Sequence, residues 1–216
     1  MIPLKDTPKT RIFPYVNISL ILFNIFVFAF QLMLTERGLM LFAHTYGLVP
    51  IQVDASLAGL MPFITYQFLH GGWLHIGSNM LYLWVFGDNI EDRLGHVKYL
   101  VFYLLAGTLA GLAQVLADPA SQTPIIGASG AVAGVLGAYL ISCPRARVIA
   151  LVPIFFLFTI AEVPAIIFLG LWFVLQVFSG VASIGMNITV AWWAHIGGFI
   201  AGLALVGLFG KRIKCQ

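Results

Sequence analysis

Charge is what this sequence has least of. Asp, Glu, Lys and Arg supply 9% of the 216 residues, where a soluble domain carries about 25%. Too few charged side chains remain to cover a water-facing surface, which excludes an ordinary soluble domain. Cysteine is nearly absent as well: Cys143 and Cys215 stand far apart. That rules out a paired-cysteine framework or a metal-binding spacing, and both are expected as free thiols. The few basic residues gather on no folded face, so nucleic acid is not an expected partner. No HExxH is present, and His70 and His75, five apart, share a helical face poorly, so no metal is expected. Repeats and low-complexity tails are missing too.

What is abundant is apolar: 61% of residues, with a mean hydropathy of +1.00. The lipid bilayer is the solvent this composition fits. The length suits one compact helical bundle, a single membrane domain over residues 1–216. The start, MIPLKDTPKTR, is basic and precedes an apolar run. That run, Val16–Leu34, exceeds the ~7–15 residues of a signal-peptide core and no A-x-A site follows, so it reads as a retained span.

A span needs about 20 mostly apolar residues. Six segments qualify: Val16–Leu34, His70–Asn89, Tyr99–Leu116, Ile125–Ser142, a fifth within Val148–Phe178, and Val190–Phe209. Pro153, Glu162 and Pro164 interrupt the fifth region. Proline suits a helix's first turn and a carboxylate its N-terminus, so the fifth helix is predicted to begin near Glu162–Pro164. Val148–Ile160 is then predicted to be an apolar loop in or near the interface. The fold class expected is all-α: a polytopic bundle of six transmembrane helices with both termini cytoplasmic. Positive residues accumulate on the cytoplasmic side. With the N-terminus inside, the inner segments hold Lys5, Lys9, Arg11, Arg93, Lys98, Arg145, Arg147, Lys211, Arg212 and Lys214, and the outer loops hold only Arg37. Asp88, Glu91, Asp92 and Arg93 read as a solvated inner turn, and His44 and His96 as loop residues. The first outer loop, Thr35–Leu69, is long enough to suggest a function.

Polar residues within spans are costly and point to function. Three clusters stand out: His70-Gly-Gly-Trp-Leu-His75-Ile-Gly-Ser-Asn79, Gly127-Ala-Ser129-Gly130, and Ala194-His195-Ile-Gly-Gly198. Each opens a span running from outside to inside, so all three fall in the outer half of the membrane, given ~1.5 Å rise per residue. Trp192 and Trp193 read as an outer interfacial anchor. His75 and Asn79 share one helical face. Ser129, Ala133 and Gly137 form a stripe on the fourth span; His195, Gly198 and Gly202 form one on the sixth. Small residues let membrane helices approach closely, which would bring the Ser129 hydroxyl to the His195 ring for activation by an adjacent base. His75, Asn79 and the Ser129 amide are candidate donors to a developing oxyanion. Asp118 and Glu162 are poorly placed to orient His195, so the arrangement reads as a dyad and not a Ser-His-Asp triad.

On these motifs the chain resembles the rhomboid family of bacterial-type intramembrane serine proteases. The pattern H-x4-H-x3-N is matched by His70, His75 and Asn79. G-x-S-G is matched by Gly127, Ser129 and Gly130, and A-H-x2-G-x3-G by Ala194, His195, Gly198 and Gly202. Each motif alone is weak; the ordered set on alternate helices is specific. The resemblance implies Ser129 as nucleophile, His195 as general base and acid, and His75, Asn79 and the Ser129 amide as the oxyanion site. His70 becomes a loop-bracing residue and Glu91 a structural position. It also implies single-span membrane proteins as substrates, cut near the outer face. No organelle transit peptide is seen, so a prokaryotic plasma membrane is expected, and the chemistry needs only water and these side chains, so no cofactor is expected. Substrate would enter beside the fifth helix, under the loop Ser183–Thr189. Two departures stand out. No Trp-Arg pair occurs in Thr35–Leu69, and Ala133 replaces the aromatic residue that often stacks on the histidine. The rival readings are a non-catalytic rhomboid-like escort, which typically lacks the serine or histidine, and a transporter, which would show paired repeats. The sequence leaves oligomeric state open.

Overall fold

The computed structural model describes residues 1–154, 157–184 and 190–209. Of the loop expected at Ser183–Thr189, residues 185–189 lie outside the described residues, as do Lys211, Arg212, Lys214 and Cys215. In chain order the elements are β1 (Ile2–Asp6), α1 (Tyr15–Leu32), α2 (Glu36–Tyr46), two single-turn helices α3 (Leu57–Leu60) and α4 (Pro62–Thr65), α5 (Trp73–Leu94), α6 (His96–Ala117), α7 (Ser129–Ser142), β2 (Arg147–Ile154), β3 (Leu157–Pro164), α8 (Ala165–Ala182) and α9 (Trp192–Phe209). Each of the six apolar segments overlaps one helix of at least 14 residues: α1, α5, α6, α7, α8 and α9. Four of them, α1, α6, α8 and α9, are long and apolar enough to cross a membrane.

Helix α7 is the buried centre and packs against α9, α6 and α5. Its small residues make this possible. A Cβ on Gly198 would fall on the carbonyl of Gly130, one on Gly202 on that of Gly134, and one on Gly137 on that of Phe199. The α7 and α9 backbones therefore touch directly, with no side chain between them. A similar approach joins α9 to α6, where Gly197 lies against Ala113.

The all-α expectation needs correction. β1, β2 and β3 form an antiparallel sheet in the order β1-β2-β3. The segment predicted as an apolar interfacial loop is the β2–β3 hairpin. Its apolar run Val148-Ile149-Ala150-Leu151-Val152, with β-branched Val148, Ile149 and Val152, is strand chemistry, and pairing satisfies backbone groups that a loop at an apolar surface would leave open. Pro164 precedes α8 as its N-cap, one residue from the predicted start.

At this end of the bundle the acidic cluster is not a solvated turn. Glu91 is fully buried, and its carboxylate accepts from the amides of Val16 and Asn17, 2.9 and 2.7 Å away. It thereby caps the positive end of α1. His96 pairs with the same carboxylate. Asp6 of β1 accepts from Tyr139 of α7 at 2.6 Å and from Asn89 of α5 at 2.9 Å. Burial, opposed by the Tyr139 bond, pushes the Asp6 carboxyl up to about 7. Cys143, expected as a free thiol, is disulfide-bonded.

Candidate active site

The first turns of α5, α7 and α9 converge at the opposite end. Ser129 is the first residue of α7, His195 the fourth of α9, and His75 the third of α5. The approach to Ser129 is pinned by the long loop. Leu48 and Ile125 exchange backbone hydrogen bonds at 3.0 and 2.8 Å, and the Gly127 amide donates to the Tyr66 carbonyl at 2.9 Å. Gly127 sits at φ +129°, a conformation that favours glycine. A Cβ there would lie 2.6 Å from Nε2 of His75 and 3.5 Å from the Ser129 hydroxyl. The bare backbone thus keeps open the space between those two groups.

The Ser129 hydroxyl lies 2.9 Å from Nε2 of His195. The other ring nitrogen, Nδ1, lies 2.8 Å from the side-chain oxygen of Gln176 on α8. Trp172 and Trp192 flank the ring at centroid distances of 6.2 and 5.9 Å. These neighbours hold the imidazole where Ala133 offers no stacking partner. From α6, the Gln114 oxygen accepts from the amide of Ala194 at 3.2 Å and fixes the start of α9.

A cavity of about 910 Å³ opens over this pair, and His75, Asn79, Ser129 and His195 line it. The Gly71 amide donates to Nδ1 of His75 at 3.3 Å. The neutral ring therefore carries its proton on Nε2, the nitrogen facing Gly127 and Ser129. The Asn79 amide nitrogen is buried with no hydrogen-bond partner. The first turn of any helix leaves amides unpaired, and α7 presents those of its first turn here. Donors from α5 and α7 thus border the same space.

His70 stands apart from this group, on the loop before α5. Its backbone is clamped by Gln31 of α1, which accepts from the His70 amide at 3.0 Å and donates to its carbonyl at 3.1 Å. Its ring lies against that of His75, centroids 5.1 Å apart. Gly130, Gly198 and Gly202 form the helix seam rather than lining the cavity. Among the described residues no cluster of His, Cys, Asp or Glu could hold a metal ion.

Reading the sequence for an acidic partner to His195 missed Gln176. The signal was present: Gln176 is the most polar side chain in an otherwise apolar helix, and an intramembrane polar residue calls for a role. Gln31, Tyr66 and Gln114 escaped notice because their partners are backbone groups distant in sequence.

The Rhomboid domain profile matches residues 58–212. The chain is 36% identical over 152 residues to Rhomboid protease GluP of Bacillus subtilis, an alignment covering 67% of this chain and 27% of that protein. It is 30% identical over 179 residues to Rhomboid-like protease 3 of Toxoplasma gondii, covering 83% and 61%. It is 31% identical over 108 residues to the chloroplastic Rhomboid-like protein 11 of Arabidopsis thaliana, covering 49% and 38%. The alignments thus span at most 61% of these relatives' lengths. The fold and the matches define the class as a multi-pass membrane protein with a Rhomboid domain. The chain belongs to the rhomboid family.

Proposed function

We propose that this protein is an intramembrane serine endopeptidase that cleaves single-span membrane proteins near the extracytoplasmic side. The observation that carries the reading is the 2.9 Å contact between the Ser129 hydroxyl and Nε2 of His195, within reach for nucleophile activation. Ser129 Oγ attacks the scissile carbonyl while its proton passes to Nε2 of His195. The resulting oxyanion accepts hydrogen bonds from the Ser129 amide, His75 Nε2 and Asn79. Collapse breaks the C–N bond, and the imidazolium gives its proton to the departing amine. Water, deprotonated by the same nitrogen, then attacks the ester, and as the acyl C–O bond breaks the imidazolium returns the proton to Ser129 Oγ. His70 braces the loop before α5, Gly127 keeps the space between His75 and Ser129 open, and Gly130, Gly198 and Gly202 keep α7 and α9 close. No cofactor enters the scheme.

The topology we propose has six spans in one domain over residues 1–216, with both termini cytoplasmic in a prokaryotic plasma membrane. Two observations support it. The basic residues Lys5, Arg93, Lys98 and Arg147 lie on segments at the end away from Ser129, and Lys98 reaches the carbonyl of Phe209 at the end of α9. The positive-inside rule puts that end in the cytoplasm. Ser129 then opens toward the extracytoplasmic face, and substrate approaches beside α8.

The test is cleavage in proteoliposomes. The substrate is a single-span protein with helix-weakening residues and a small residue near its outer end. The wild-type protein is expected to cut it, with Ser129→Ala and His195→Ala reduced at least ~10³-fold. Equal cleavage by all three would exclude the proposed pair, and a folded wild type that binds the substrate without cutting it would point to an escort role.

A further inference from the structure

We infer that Gln176 is a positioning residue for His195, extending the serine–histidine pair to a three-residue hydrogen-bonded chain whose third member sits on α8. The inference rests on the catalytic reading above and deepens it.

The side-chain nitrogen of Gln176 donates to the carbonyl of Trp172, one turn earlier, at 3.4 Å. That contact sets the amide's orientation and turns its oxygen toward Nδ1 of His195, 2.8 Å away. An oxygen acceptor requires a proton on Nδ1. Nε2 must then present its lone pair to Ser129, the tautomer a general base needs. A flipped amide would donate to Nδ1, leave the proton on Nε2 and block proton transfer from Ser129. The Trp172 carbonyl therefore helps select the productive state. As the imidazolium forms, the amide oxygen also accepts from a more acidic N–H, a hydrogen bond strengthened by charge.

The placement on α8 has a consequence. Helix α8 is the least buried of the four long apolar helices, and its main helical neighbour is α9. Gln176 reaches His195 only while α8 is seated on α9. Orientation of the base is thus coupled to the seating of α8 on α9, and an outward shift of α8 removes the acceptor from Nδ1.

Four proteins in proteoliposomes test this: wild type, Gln176→Met, Gln176→Glu and Gln176→Lys. Substrate cleavage and fluorophosphonate labelling of Ser129 are followed together, with thermal unfolding as the check on folding. Methionine keeps the length and removes the acceptor. It is expected to lower kcat and the labelling rate by the same factor, about 10–100-fold, with KM unchanged. Lysine, which only donates, is expected to fall at least as far. Glutamate restores an acceptor and is expected to regain activity toward alkaline pH. A wild-type kcat in Gln176→Met, or a Gln176→Glu protein as impaired as Gln176→Met at every pH, would overturn the assignment. A wild type that neither cleaves nor labels at Ser129 overturns the catalytic reading itself, a result distinct from either.

Discussion

At the end of the bundle that holds Ser129, α7 and α9 meet backbone to backbone, with Gly130 under Gly198 and Gly134 under Gly202. At the other end, α1, α5, α7 and the N-terminal strand meet through buried side chains, chiefly Glu91 and Asp6. Direct backbone contact tolerates almost no added volume, but it fixes the distance between two helices and so between the groups they carry. Hydrogen-bonded side chains bridge larger gaps and resist removal of one partner, because the other is left buried and unpaired. Geometry for chemistry is therefore concentrated at one end, and anchoring of the chain's start at the other.

Four substitutions sharpen or break that contrast. Gly202→Val puts a branched side chain on the Gly134 carbonyl and must part α7 from α9. Cleavage is expected to vanish, with a stability loss of about 1–3 kcal/mol or more by thermal unfolding; retained cleavage would show that the seam does not set the dyad distance. Asn79→Ala removes one of the proposed oxyanion donors without moving a helix. A drop in kcat of about 10²–10³-fold at unchanged melting temperature is expected from steady-state kinetics. Glu91→Ala strips the caps from α1 at the opposite end. Unfolding should become easier by about 1–3 kcal/mol, while kcat per folded molecule stays level.

The smallest effect concerns Asp6. Its carboxyl is raised by burial from 3.8 to about 7 in the folded protein, so folding favours the protonated form. The sign follows: docking of β1 is strongest below about pH 4 and weakens as pH rises through about 7. Proteolysis at the N-terminal strand should quicken over that range, and Asp6→Asn should flatten the dependence. A strand that loosens toward acid would reverse the account.

The contrast also explains what could be read in advance. The helices of the active-site end announced themselves through apolar runs and through His75, Asn79, Ser129 and His195, polar residues that a bilayer penalises. The spacing of His75 and Asn79 on one helix face is local information, and so is the four-residue interval from Gly198 to Gly202. The sheet was hidden for the opposite reason. Pairing of Ile2 with Leu151 joins residues at the start of the chain to a segment deep within it, and an apolar β-branched run can be strand, loop or helix until its partner is known. Glu91 looked like one of several solvated charges because its partners are backbone amides of α1. Gln176 was visible as a polar residue in an apolar helix, but its partner His195 lies on another helix, and as a neutral amide it carries no charge to mark it as an orienting group.

The central claim is that His195 activates Ser129. Its most direct measurement is mass-spectrometric mapping of a fluorophosphonate adduct on the protein in lipid, with His195→Ala beside it. The account predicts one adduct, on Ser129, forming at least ~10³-fold more slowly without the imidazole. An adduct on another residue, or labelling of Ser129 at the same rate in His195→Ala, would contradict it.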